Sequence, residues 1–404
     1  MVIESTTHTP QACVQNIGDA ELSYLRYEGE GPPLIFLHAT GFQPWLWHPL
    51  ARDLADDYQI IAPSLCDHRE TDPDEGGLNW MTLAEDTVRL CTGLRLDRPF
   101  LVGHSMGATV LLIANALCEL PAAGMILIEP ILLPPEFYRG AMRVDEHPLA
   151  AKAIKRTNFW RDRDDAMAYL HSRTLFQGWT EEMLELYILH GMTGGGDNGG
   201  LRLACSPQRE AALFMGGRQF DPWPLLPRVS CPVLIVEGEK SDSKGFIDVD
   251  RIQSLIPNSR RRTVKGAGHL VPMERPREVT SIIREFFHPL RRRNNEMDYA
   301  VSLRRDRLLK QPKEDVSMAI AKAAKKAAVK APAKAAAKAK PAKKAVKAAA
   351  KAKPAKKAVA KAKPAKKAPA KKTAAKAKPA KKAPAKKTTA KAKPAAKKPA
   401  KANK

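Results

Sequence analysis

"FLVGHSMGAT", residues 100–109, runs from an apolar stretch into a serine boxed between glycines and on into small, helix-compatible residues. Gly-x-Ser-x-Gly alone is a weak signal, because turns are full of both residue types. Its surroundings carry more. "PFLV" reads as a buried strand and "MGATVLLIANAL" as a helix, so Ser105 falls on a strand–turn–helix corner. Bulk on either side of such a corner would clash with the adjoining strand and helix; Gly103 and Gly107 supply the room.

A serine hydroxyl is a poor nucleophile near neutral pH, so a histidine must take its proton. Of ten histidines, His269 in "VKGAGHLVPMERP" has the best setting: after a candidate last strand, in a loop relieved by Gly266 and Gly268, just ahead of a closing helix. His104, His147, His171, His190 and His288 read as core or surface residues with ordinary partners. An acid must fix the imidazole tautomer, and "PVLIVEGEKSDSK" offers Glu237, Glu239 and Asp242 in the loop before the histidine segment.

The rest of the body has the matching rhythm. "PLIFLH", "YQIIAP", "PFLVGH", "GMILIEP" and "PVLIVEGE" read as strands buried on both faces, and "ELSYLRYEG" (21–29) as an edge strand. "MTLAEDTVRLCTGL" and "MGATVLLIANALC" carry helical patterns, and residues 274–287 place Val279, Ile282, Ile283, Phe286 and Phe287 on one helical face. This is an α/β pattern: a mostly parallel sheet wrapped by helices. Residues 130–228 break the rhythm with helical pattern and no clear strand, and are expected to form a helical lid inserted in a domain spanning 1–289. The glycine cluster "TGGGDNGG" (193–200) lacks the Lys-Ser or Lys-Thr of a phosphate loop and reads as a turn within that lid.

Charge divides the chain. Residues 321–404 hold 32 lysines and no acidic or aromatic residue; these exceed the chain's net charge of +25 by seven, so residues 1–320 carry −7. A charged connector is expected over 290–316 and a disordered Lys/Ala/Pro-rich tail over 317–404. In that tail "KAKPAKKAPA" recurs with variations, and prolines from Pro332 to Pro399 interrupt helix formation. The six cysteines are scattered without Cys-x-x-Cys pairs, which points to free thiols in a reducing compartment and to no zinc site. With no signal-peptide pattern and no long apolar run, a cytoplasmic protein without a membrane span is expected, the nucleoid being where the tail could take it.

From about Glu21 to His288 these residues resemble the α/β-hydrolase superfamily. "LIFLHATGF" (34–42) is similar to its oxyanion-loop segment, "GHSMGA" to its nucleophile elbow, "LAEDTVRL" to the helix before the elbow strand, and "GAGHLVPMERP" to its histidine loop. The resemblance implies Ser105 as nucleophile, His269 as base, and the backbone amides of Thr40 and Met106 as the oxyanion hole. It prefers Asp242 as the acid. Ser241 occupies the usual acidic position, and Glu129, at the end of "GMILIEP", is the alternative that some members use. Two further departures stand out: Ala39 follows His38 where glycine is usual, and "APSLCDHRETD" keeps only His68 of a common Arg-Gly-His-Gly. Trp45, Trp47 and Trp80 are candidates to line an acyl pocket or to be plain packing.

A serine nucleophile disfavours the haloalkane dehalogenase and epoxide hydrolase branches. What the resemblance leaves is acyl transfer to water, with a small carboxylic ester as first expectation; cofactor-free perhydrolysis and carbon–carbon hydrolysis are alternatives. No metal or organic cofactor is called for. A rival reading makes the body a degenerate hydrolase and the tail the working part. The tail is similar to the Lys/Ala/Pro-rich arms of linker histones and bacterial histone-like proteins. Flexible cations at this density displace counterions from DNA, RNA or polyphosphate without reading sequence; a merely solubilising extension is the plainer alternative.

Overall fold

The computed structural model describes residues 8–194 and 199–309. The expected tail lies outside the described residues. In chain order the elements are β1 (Gln11–Asn16), β2 (Glu21–Tyr27), β3 (Pro33–Leu37), α1 (His48–Leu54), β4 (Gln59–Pro63), α2 (Trp80–Gly93), β5 (Phe100–His104), α3 (Met106–Ala116) and β6 (Gly124–Ile128). There follow α4 (Pro148–Ile154), α5 (Arg163–His171), α6 (Glu181–Gly191), the short strands β7 (Met192–Gly194) and β8 (Leu201–Leu203), and α7 (Pro207–Gly216). The chain then returns to the sheet with β9 (Val233–Gly238), α8 (Val249–Leu255), β10 (Ser259–Val264), α9 (Val271–Glu274) and α10 (Pro276–Leu309).

Eight strands form one sheet in the order β1-β2-β4-β3-β5-β6-β9-β10, parallel from β4 onward and antiparallel at β1 and β2. Its central strands are apolar at almost every position because the two-residue period sends alternate side chains to opposite, equally covered faces. Leu34 and Phe36, Phe100 and Val102, Ile126 and Ile128, Leu234 and Val236 pack with Leu54, Ile283 and Phe287 of α1 and α10. Ile35 and Leu37, Leu101, Met125 and Leu127, Val233 and Ile235 pack on the other face with Leu83, Ile113 and Ile252 of α2, α3 and α8. Each such buried side chain contributes roughly 1.5–3 kcal/mol.

Three details differ from the sequence expectation. The edge strand is β1, and β2 lies inside it; "QACVQN" is too polar and too exposed to announce itself as a strand. The helix expected to end at Phe287 runs on through Pro289 to Leu309. Proline deletes one backbone bond, but the residues beyond it, rich in Arg and Leu, favour helix. The stretch between β6 and β9 is helical apart from the short antiparallel pair β7–β8.

Candidate active site

The site is built where β5 and β6 end side by side. His104 pairs with Ile128 in register, and the next residue on each strand leaves the sheet: Ser105 on one and Glu129 on the other. Both adopt left-handed backbone, with φ of 54° and 51°, a conformation that costs a non-glycine residue energy and clusters at functional sites. Each is fixed by a backbone bond of 2.8 Å, from Ser105 N–H to Ile128 O and from Glu129 N–H to Val236 O. The flanking glycines are sterically required. A Cβ at Gly103 would stand 2.6 Å from the Ala108 backbone, and one at Gly107 would fall on the Leu37 carbonyl.

His269, in the loop between β10 and α9, lies between these two residues. Its Nε2 is 3.1 Å from Ser105 Oγ and its Nδ1 2.9 Å from Glu129 Oε2. Of the two acids the sequence offers, the alternative, Glu129, is the one bonded to the imidazole; the favoured Asp242 is exposed and has no bond to it. Glu129 is almost fully buried and accepts three further bonds, from Gly238 N–H (2.6 Å), Ser241 Oγ and Ser243 Oγ (both 2.7 Å). Burial alone would raise its carboxyl group, but the bond and charge of His269, with the Ser241 and Gly238 donors, hold it below the usual carboxylate range. Acceptor-only, the carboxylate makes His269 Nδ1 the donor, which leaves Nε2 lone-paired toward Ser105.

Of the two residues whose backbone amides are expected to receive an oxyanion, Met106 follows Ser105 directly and Thr40 shares its cavity. Met106 is the first residue of α3, so its N–H has no intrahelical acceptor. Thr40 and Ala39 line the same cavity as Ser105. Their loop is pinned by His38, which takes a bond from Leu65 N–H at Nε2 (2.8 Å) and so must donate from Nδ1 to Ala39 O (2.8 Å). Burial pushes the His38 imidazole down to about 4, keeping it neutral for that task. His104 donates from Nε2 to the carbonyl of His269 (2.9 Å) and orients the histidine loop.

A cavity of about 240 Å³ opens onto Ser105 and His269, walled by Phe42, Trp80, Ile131, Leu133, Phe214 and Leu270 among others. A larger hollow of about 600 Å³, lined by Lys244, Asp250 and Arg261, contains neither Ser105 nor His269. Of the three tryptophans, Trp80 lines the cavity, its indole donating to Leu213 O. Trp47 is buried against Phe36, and Trp45 stacks on His190 with ring centroids 3.7 Å apart; both are packing. His68 does not line the cavity and is bonded with Arg69 to the fully buried Asp86. Among the described residues no cluster of His, Cys, Asp and Glu is arranged to hold a metal ion, and no helix is long and apolar enough to cross a membrane.

An elbow serine, an imidazole and a carboxylate at the end of such a sheet define a class of hydrolases. The chain belongs to the alpha/beta hydrolase family, whose model matches residues 34–282. It is 26% identical over 257 residues to a putative esterase/lipase of Haemophilus influenzae, covering 64% of this chain and 83% of that protein. It is equally 26% identical to a 2-(acetamidomethylene)succinate hydrolase of Mesorhizobium japonicum, over 65% of this chain and 90% of the relative. A crystal structure of E-2-(acetamidomethylene)succinate hydrolase superimposes with a TM-score of 0.60 at 24% identity, covering 69% of this chain and all of that one. Family and relatives together make the chain a hydrolase of the α/β fold.

Proposed function

We propose that the protein is a serine hydrolase of carboxylic esters or closely related acyl compounds, with Ser105 as nucleophile, His269 as base and Glu129 as the acid behind it. The observation that carries this reading is the unbroken relay from Ser105 Oγ through His269 to Glu129, at 3.1 and 2.9 Å. As Ser105 Oγ adds to the substrate carbonyl carbon, its proton passes to His269 Nε2 and the imidazolium is held by Glu129. The carbonyl oxygen becomes an oxyanion facing the Thr40 and Met106 amides. Collapse breaks the acyl–oxygen bond, and His269 returns the proton to the departing alcohol. Water, deprotonated by the same imidazole, then attacks the acyl-enzyme and frees the acid and Ser105. The apolar cavity supports a carboxylic ester of modest size.

The relatives' names span esters and an acetamidomethylene succinate, so they support acyl chemistry without choosing a substrate. A screen of 4-nitrophenyl esters over acyl chain length, with Ser105→Ala as blank, tests the reading. Turnover of short and medium esters is expected, falling about 10³-fold or more in the variant, together with fluorophosphonate labelling that the variant loses. Labelling that persists in Ser105→Ala would overturn the assignment. The lysine-rich tail is proposed as a separate, sequence-independent anchor to DNA, RNA or another polyanion, on the strength of its 32 uncompensated charges.

A further inference from the structure

Two ionisable acids line the cavity, Glu210 and Asp242, and no lysine or arginine does. Asp242 stands exposed at the rim. Glu210 is deeper, its side chain 12% exposed, and it sits in the first turn of α7, where the helix N-terminus favours a negative group. One of its oxygens is occupied: Oε2 accepts from Arg156 Nη1 at 2.5 Å, and Arg156 is itself tied to the Tyr187 hydroxyl at 3.1 Å. Arg156 does not reach the cavity wall. The other oxygen, Oε1, packs against the turn that follows Thr40, since a Cβ on Gly41 would lie 2.7 Å from it. Oε1 accepts no hydrogen bond among the described residues.

We propose that Glu210 is a specificity-determining residue that turns the cavity against acyl compounds bearing a second, free carboxylate, and so restricts the site to uncharged acyl groups. The inference rests on the reading of this cavity as the acyl site. A substrate carboxylate drawn in toward the oxyanion loop would meet the unpaired oxygen of Glu210. Phe42, Trp80, Ile131, Leu133 and Phe214 offer it no hydrogen bond in exchange for its lost water; besides the two acids and the Ser105–His269 pair, the cavity's polar side chains are Thr40, His147 and Ser243, none of which carries a fixed positive charge. The Arg156 charge is already engaged at Oε2. Like charges brought together in a dry cavity are penalised strongly, and the discrimination against the anion is on the order of 30-fold.

The test compares two esters of one acid on the full-length protein: the mono-4-nitrophenyl ester of glutaric acid, which is anionic, and its methyl ester, which is neutral and longer by one methyl group. The ratio of their kcat/KM values reads selectivity whatever the absolute rates do. In the unmodified protein the neutral ester is expected to be favoured about 30-fold. Glu210→Gln should cut that preference about tenfold, because it removes the negative charge that the substrate carboxylate meets. Glu210→Asp, which keeps the charge, should retain most of it. A ratio near one in the unmodified protein would overturn the proposal, even where the Gln variant fails to fold; so would a ratio that Glu210→Gln leaves unchanged. Turnover of neither ester, with no fluorophosphonate labelling of Ser105, would overturn the acyl-site reading and this proposal with it.

Discussion

Replacing Glu129 by glutamine exchanges one carboxylate oxygen for an NH2 group and should nearly silence the protein. The carboxylate accepts four bonds, from Gly238 N–H at 2.6 Å, the Ser241 and Ser243 hydroxyls at 2.7 Å, and His269 Nδ1 at 2.9 Å. A glutamine must turn its NH2 toward one side of that set. Placed where Oε2 was, the NH2 donates to His269 Nδ1, moves the ring proton to Nε2, and presents a donor to Ser105 where a base is needed. Placed where Oε1 was, it meets the Gly238 N–H donor against donor, and the neutral oxygen left beside His269 no longer stabilises the imidazolium. Loss of the correct tautomer in such a relay costs about 10⁴ in turnover, or roughly 5 kcal/mol of transition-state stabilisation. Asp242→Asn, which takes no bond from the imidazole, should cost less than about threefold on the same scale. The assay is steady-state hydrolysis of a neutral 4-nitrophenyl ester, with circular dichroism to establish that both variants are folded. KM should move little for Glu129→Gln, because the loss is confined to the transition state. An Asp242 variant more impaired than the Glu129 variant would refute the reasoning and return the acid to the loop after β9.

Acid should destabilise the fold before it titrates the carboxylates. Burial pushes His38 down to about 4 and His104 to about 3, so below pH 6.5 the unfolded chain binds protons that the folded chain refuses. Stability therefore falls as pH falls through that range, by about 2 kcal/mol per histidine at pH 5. Urea midpoints at pH 7 and pH 5 measure it, and His104→Gln should shrink the pH dependence by that histidine's own share, about 2 kcal/mol; equal midpoints would contradict it. Truncation after Val316 should spare ester turnover and abolish binding to duplex DNA. Binding by the full chain should weaken with log salt by about 0.9 per phosphate contact, whereas DNA affinity that survives truncation would rule out the tail as anchor.

The parallel sheet, the elbow serine and the histidine loop were legible in the sequence because each rests on local chemistry: apolar runs of strand length, glycines where backbone crowds backbone, and a histidine ahead of an amphipathic helix. Strand β1 was not, since a half-exposed edge strand needs few apolar residues. The acid was the harder case, as both loops can reach the imidazole in this fold and sequence distance does not choose between them. A clue was present in Ser241. A hydroxyl at the customary place of the carboxylate is what a buried carboxylate arriving from the neighbouring strand requires, and the structure has that hydroxyl donating to Glu129. Glu210 and Arg156, 54 positions apart in the chain, had no sequence signature, because the contact exists only once the helical segment is folded over the oxyanion loop.

The register that sets Ser105 and Glu129 at the ends of adjoining central strands also divides labour among the loops. The two residues proposed as nucleophile and acid are tied to the central strands of the sheet, and the segment after β9 supplies only hydroxyl donors to the carboxylate. That segment also brings Asp242, Ser243 and Phe246 to the cavity. A loop relieved of the carboxylate can change character at the entrance while the relay behind it stays intact, so diversification of substrate choice in this lineage has an open route at position 242 and over 244–248, provided the Ser241 and Ser243 hydroxyls that hold Glu129 are kept.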